Sequence, residues 1–550
     1  MEILSLSFVG LVLATVIVYY IIPIKVRWLV LLAASCVFYA LSGWQGCLWL
    51  LLVAAVTFFG SKIQKILIDK EKATGKIERQ IKDAEAKKAK EVSGVLEGNA
   101  AEENVTLAED VLPALPSSGW FSSAKKIKTL RKIVLAITIV LPFFAMAFSK
   151  YYDVLRGWIQ TLPVLTLILP LGLSYFTFQS VGYAIDVYRN KFEPEKNPLK
   201  YLLFVSFFPQ MTQGPISQYS QLMPQLVRGN RFNPDNFIMG AQLCLWGFFK
   251  KMVIADRLTP VTAAISTKEP GWFILLTVII YLIRLYADFS GGMDVVRGAA
   301  IMLGITLPEN FKRPFFSHSE AEYWRRWHIT LGTWFRSYLY YPLSTSGFGI
   351  KLSKIGQKLF GKKAGRALPA TVSTIIIFFL IGIWHVANGN AVIYGLYFGL
   401  TMGIELLLDP AFKKLKKKLH INEKNFFWKA YTMVRTWVLI LIPQYFAFTA
   451  NPETGWNLLK GTFERWNFVN PAKWFTEIMD PLEWYIAGAA VFVLLVIDIV
   501  TEFVNDLNAK LAKCFFVIRW VLIIALILAI LVFGCYGTGY DATAFLYTNF

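Results

Sequence analysis

FFLIGIWHVANGNAVIYGLYFG, residues 378–399, is an apolar run that carries one ionisable side chain, His385. A helix needs about 20 apolar residues to cross the hydrocarbon core of a bilayer, and this run is long enough. An imidazole inside such a run is unusual. Ionisable residues within spans are rare, face the interior of a helix bundle and commonly mark a functional pathway. The plainer alternative is a histidine bonded to a neighbouring helix. Either way, the stretch predicts a membrane-spanning helix with a polar interior beside it.

The pattern recurs outward from there, in LSFVGLVLATVIVYYIIP (5–22), KIVLAITIVLPFFAMAF (132–148), GWFILLTVIIYLI (271–283) and RWVLIIALILAILVFG (519–534). The chain has 550 residues and 56% of them are hydrophobic. It reads as an all-α polytopic membrane protein. MEILSLSF has no basic segment and no cleavage site, so the first span is expected to be retained. The five cysteines, Cys36, Cys47, Cys244, Cys514 and Cys535, lie in apolar surroundings without metal spacing, as packing residues do. The net charge of +20 is spread among the spans, which points to loop topology and away from nucleic acid.

Spans are predicted near 5–22, 27–42 and 44–60. The positive-inside rule places the N-terminus outside, Lys25 and Arg27 inside, SGWQG outside and a charged insert, 61–131, in the cytoplasm. The insert's first half has Ile63, Ile66, Ile77 and Ile81 on a charged background, as an amphipathic helix would. Its second half reads as linker. The insert is a solvated loop or a docking site for a cytosolic partner. The organisation is thus 1–60 N-terminal helices, 61–131 insert, 132–410 core and 411–550 C-terminal helices.

The core is interrupted by FFPQMTQGPISQ (207–218), YADFSGGMDVVRG (286–298) and PENFKRPFFSHSEAEYWRRWHITLGTWFRSYLYYPL (308–343). Irregular backbone survives at membrane depth only where protein buries it or water lines it, so re-entrant helices around a polar cavity are expected. Of the four histidines, His420 falls in a basic loop, whereas His318 and His328 precede the span of His385. In YWRRWHITLGTWF, Trp324, His328 and Gly332 recur every four residues, which predicts one helix with these on one face. Imidazole is the usual general base, and a hydroxyl acceptor would supply its proton. There is no G-x-S-x-G and no cysteine beside a histidine, which favours a base that activates an acceptor directly over a covalent enzyme intermediate. His318, His328 and Glu322 match no zinc spacing, and no HExxH is present, so no metal is expected.

The runs LPLGLSYFTFQSVGYAIDVYR (169–189), FVSFFPQMTQGPISQYSQLMPQL (204–226), YADFSGGMDVVRGAAIMLGITLPENFKRPFFS (286–317), EYWRRWHITLGTWFRSYLYYPL (322–343) and IGIWHVANGNAVIYGLYFG (381–399) carry a resemblance. The chain resembles the membrane-bound O-acyltransferases, in the bacterial branch of alginate O-acetylation and D-alanyl-teichoic-acid transfer. The resemblance implies a ring of about 11–13 transmembrane and re-entrant helices around a central funnel. It implies that His385 is the catalytic histidine and His328 the second one. The chain departs from that pattern at GGMD (291–294), at VANGN (386–390) and in its long insert. Its tail, YGTGYDATAFLYTNF (536–550), is similar to the alginate type and favours acetyl transfer.

Further candidates follow on the matching runs. Asn310, Lys312, Arg313, Trp324 and Arg325 are donor-binding candidates, and the first three have a second reading as interfacial anchors. Asp288, Gln213, Asn388 and Trp384 are substrate-binding candidates. Asp288 and Arg284 are four apart and are expected to neutralise each other. Gln213 lies in a broken helix where a Pro-Gly turn must be satisfied. The resemblance implies no bound cofactor, an acyl thioester such as acetyl-CoA as donor, and a cell-surface polysaccharide hydroxyl as acceptor. It also implies an extracytoplasmic partner acyltransferase, contact with membrane lipid, and a multi-pass place in the bacterial plasma membrane. The rivals are D-alanyl transfer to teichoic acid and a polysaccharide exporter using the histidines as a proton relay. Export is disfavoured because no paired halves with matching broken helices are evident.

Overall fold

In hydrocarbon a segment must satisfy its own backbone groups, so apolar runs of this length become helices. The computed structural model describes residues 5–97, 119–164, 172–211, 213–386, 388–466, 471–504 and 507–536. Among these residues the elements are helical, with one isolated antiparallel bridge between Phe311 and Trp327. Nine helical stretches among the described residues are long and apolar enough to cross a membrane.

Helices α1 (Leu6–Ile21) and α2 (Arg27–Ser42) precede α3, which runs unbroken from Trp44 to Glu97. The third predicted span and the first half of the charged insert are therefore one helix. Residues 98–118 of the insert and the tail from 537 lie outside the described residues. Helix α4 (Ala124–Trp158) returns along α3. The two are joined by an Arg131–Glu71 ion pair and by the Ala124 N–H on Glu78 Oε1 at 2.9 Å, with Leu67, Ile68 and Ile127 buried.

The core continues with α5 (Leu173–Tyr188), α6 (Pro198–Ser206), α7 (Tyr219–Val227), α8 (Pro234–Phe248), α9 (Thr259–Ala263) and α10 (Gly271–Met302). A π-helical segment, Phe249–Ala255, separates α8 from α9. Helix α10 is the central helix, buried along most of its length. Glycines let α8 approach it: a Cβ on Gly247 would stand 2.5 Å from the Gly291 carbonyl oxygen, and one on Gly298 2.4 Å from that of Gly240. Small residues at such crossings replace the hydrophobic drive that lipid removes.

Three short helices follow, α11 (Glu320–Arg326), α12 (Ile329–Phe335) and α13 (Tyr341–Thr345). The single helix expected across Trp324, His328 and Gly332 is therefore broken. His328 stands between α11 and α12 with φ 44° and ψ 52°, a left-handed conformation that ends the helical hydrogen-bond ladder. Then come α14 (Gly347–Ala364), α15 (Leu368–His385), α16 (Gly389–Lys418), α17 (Phe426–Ala447), α18 (Pro452–Glu464), α19 (Pro471–Ile478), α20 (Pro481–Phe503), α21 (Leu507–Ala512) and α22 (Phe516–Phe533). The most apolar of these, α22, has no fully buried residue and packs one side, through Leu526, Ala529 and Ile530, against the core.

Candidate active site

His385 is the last residue of α15. One turn earlier, α15 lies against α16 where glycine meets glycine. A Cβ on Gly382 would come within 2.3 Å of the Ala391 carbonyl oxygen, and one on Gly395 within 2.4 Å of that of Phe378. The chain then turns, and Asn388 Oδ1 caps α16 by accepting from the Ala391 N–H at 2.9 Å. The last carbonyls of a helix have no donors of its own. Here α4 supplies them. The Tyr151 hydroxyl donates to the Ile383 carbonyl at 2.5 Å, and Lys150 Nζ donates to that of Trp384 and, at 3.3 Å, to that of His385.

His328 is fixed differently. The segment after α10 runs antiparallel to the α11–α12 junction: Lys312 N–H donates to the Arg326 carbonyl at 2.9 Å and Ile329 N–H to that of Asn310 at 3.0 Å. Asn310 is buried, and its Oδ1 accepts from both the N–H and the hydroxyl of Thr330 at 2.9 Å. The same oxygen faces His328 Nδ1 at 3.3 Å, while the Phe289 ring packs edge-on at 5.0 Å. A left-handed non-glycine residue costs about 1–3 kcal/mol and persists only where its surroundings over-determine it. These contacts do so.

Both histidines line one cavity of about 480 Å³, within the usual range for small-molecule sites. Trp324, Trp327, Tyr281 and Tyr394 give it aromatic walls; Asn388, Asn390 and Arg284 add polar groups. His385 is within electrostatic reach of both His328 and Lys150. A buried imidazole and a half-buried one, in an aromatic chamber with no carboxylate among its described lining residues, can take and return a proton beside a reacting carbonyl.

The model of the membrane-bound O-acyltransferase family matches residues 124–394, a stretch that contains both histidines. The chain belongs to this family. It is similar to a probable alginate O-acetylase of Azotobacter vinelandii, 34% identical over 265 residues, covering 47% of this chain and 49% of the relative. It is also similar to a peptidoglycan O-acetyltransferase of Helicobacter pylori, 29% identical over 365 residues, covering 60% and 64%. A teichoic acid D-alanyltransferase of Bacillus subtilis is 30% identical over 288 residues, covering 51% and 69%. The match spans about half the length of the alginate relatives.

Within this O-acyltransferase fold the remaining candidates separate. Trp324 and Asn388 line the cavity, and Trp384 is buried behind His385 with its ring 5.4 Å from that of Phe178. Asn310 is the strut under His328. Arg313 Nε donates to Glu502 at 2.5 Å and Arg326 bonds the same carboxylate, whereas Lys312 and Arg325 are exposed. None of these cations lines the cavity. Gln213 is fully buried at its turn and also lies off the cavity wall.

The expected Asp288–Arg284 charge interaction is joined by closer partners. Asp288 Oδ1 pairs with Lys251 Nζ at 2.6 Å, and Arg284 donates to the Thr262 hydroxyl at 2.5 Å on the cavity wall. Spacing on one helix could not reveal Lys251, which arrives from the π-helical segment. Lys150 and Tyr151 also escaped the sequence reading. A lysine near the end of an apolar run reads as a snorkelling anchor, and only packing shows which carbonyls it meets.

Proposed function

We propose that this chain is an O-acyltransferase of the bacterial plasma membrane. It moves an acetyl group from a cytosolic thioester, acetyl-CoA, to a hydroxyl of an extracytoplasmic polysaccharide, directly or through a partner acyltransferase outside the membrane. The observation that supports it is the meeting of His385 and His328, from separate segments, on one cavity wall. An imidazole nitrogen of His385 takes the proton of the acceptor hydroxyl, whose oxygen attacks the thioester carbonyl carbon. The tetrahedral intermediate collapses, the C–S bond breaks, and the imidazolium returns the proton to the leaving thiolate. General-base catalysis of this kind contributes about 10²–10⁴-fold. His328, its ring set by Asn310, polarises the carbonyl.

The charge pattern supports the direction of transfer. Lys362, Lys363 and Arg366 precede α15, and Lys416–Lys418 end α16. The positive-inside rule puts these ends in the cytoplasm. The 18 residues of α15 then carry His385 about 27 Å towards the opposite face. A second cavity of about 200 Å³, lined by Gln179, Ser217, Gln218 and Thr330, also reaches Tyr338, beside Arg189 and Lys191. Helix α12 contributes to both cavities. Two chambers meeting at one helix suit a donor and an acceptor that arrive from opposite sides.

The names of the alginate and peptidoglycan relatives support acetyl transfer. The Bacillus subtilis relative keeps D-alanyl transfer as the second reading. The test is to release ester-linked acids with mild alkali from cell-surface polymer of a strain lacking the gene, rescued by wild type or by His385→Ala. Acetate restored by wild type alone is the expected result. Loss of D-alanine instead selects the second reading, and no change in either ester overturns both.

A further inference from the structure

The last turn of α15 carries the imidazole, and a helix end needs something to close it. Many helices close on a left-handed glycine that returns its N–H to the final carbonyls. Here the residue after His385 is Val386 in extended conformation, φ −148° and ψ 140°. The carbonyls of Ile383, Trp384 and His385 are met instead by Tyr151 and Lys150 of α4. The Lys150 ammonium also lies 5.3 Å from the centre of the Trp384 ring.

We infer that Lys150 is a positioning residue for His385, holding the last peptides of α15 so that the imidazole faces the cavity. The inference rests on the reading of His385 as the base. Lys150 lies inside a helix long enough to span the membrane, where a cation is expensive and functional by default. Two buried lysines of the core meet carboxylates instead: Lys250 reaches Asp294 at 2.7 Å and Lys251 reaches Asp288 at 2.6 Å. Lys150 meets the carbonyl end of a helix, where the backbone dipoles present negative charge, and the face of an indole. Its ammonium bridges the Trp384 and His385 carbonyls, which fixes the orientation of the peptide planes at the residue that bears the imidazole. Tyr151, on the next carbonyl back, sets the height of the same turn. Reacting groups misplaced by about 1 Å lose on the order of 10²-fold in rate, so a clamp at this point acts on turnover more than on donor binding.

The test uses the full chain in proteoliposomes, with thiol release from acetyl-CoA in the presence of polymer from a strain lacking the gene. Lys150→Met is expected to lower the maximal rate by about 10–100-fold while half-saturating acetyl-CoA moves by less than about twofold. Lys150→Arg, which keeps charge and donors, is expected to restore most of the rate. A second arm needs no turnover: carbethoxylation of His385, followed by mass spectrometry without donor, should change rate in Lys150→Met and return in Lys150→Arg. A wild-type maximal rate in Lys150→Met overturns the inference. So does an equal loss in both variants accompanied by a fall in thermal midpoint, because Lys150 would then be structural only. If His385→Ala itself keeps full activity, the catalytic reading fails, and the carbethoxylation arm still decides whether Lys150 positions the ring.

Discussion

At the π-helical segment after α8, Lys250 and Lys251 each close on carboxylates: Asp294 at 2.7 Å for the first, Asp288 at 2.6 Å and Asp256 at 2.7 Å for the second. At the end of α15, Lys150 reaches carbonyl oxygens and an indole face, and the cavity that His385 lines has no carboxylate among its described lining residues. The two regions answer the same difficulty in different ways. A charge taken out of water is costly unless paired. In the first region pairing cancels the cost and ties the segment after α8 to α10. In the second the polar groups are aimed at one helix end and one chamber, as expected of a site where local rules are broken for function.

The comparison can be broken in order of expected effect. His385→Ala should reduce ester formation by about 10³-fold or more while membrane level and thermal midpoint hold. Retention of more than a tenth of the activity would remove the cavity's claim to the chemistry. Lys251→Met should show the opposite signature. Removing one partner of a buried pair costs about 3–5 kcal/mol, so the midpoint in detergent should fall sharply while surviving protein still turns over. An unchanged midpoint would mean that the network does not brace the fold.

Asn310→Ala sharpens the second region. It strips the acceptor shared by Thr330 and faced by His328, and a drop of about 10–100-fold in maximal rate is expected, smaller than for His385→Ala. Gly382→Leu tests how α15 is seated. Overpacking against Ala391 and Gly395 should cost about 1–3 kcal/mol of stability and lower the rate with it. The smallest effects belong to Lys312→Ala and Arg325→Ala, exposed residues off the cavity wall, whose maximal rates should stay within about twofold. A tenfold rise in half-saturating acetyl-CoA for either would show that donor phosphates reach that surface.

Much of this was legible in order along the chain. Apolar run length announced the spans, interrupted runs announced short helices between α10 and α14, and a lone imidazole in a span pointed to a residue that lines the cavity. The helix break at His328 was not legible. A four-residue repeat of Trp324, His328 and Gly332 describes a continuous helix equally well, and the break depends on Asn310 arriving from another segment to take over the backbone and side chain of Thr330. The insert was half legible: its isoleucines read as helix, but that this helix continues α3 without interruption follows from the return of α4 along it.

The sequence by itself determined that the chain is a helical membrane protein whose middle encloses polar groups, and it offered His385 and His328 as candidates. These follow from transfer energies and periodicities, which are properties of residues near one another in the chain. Only the tertiary structure decided that Asp288 belongs to Lys251, that Arg284 faces the cavity, and that Lys150 closes the helix bearing His385. Buried charges and helix ends must find partners, and in a bundle those partners come from helices far away in sequence.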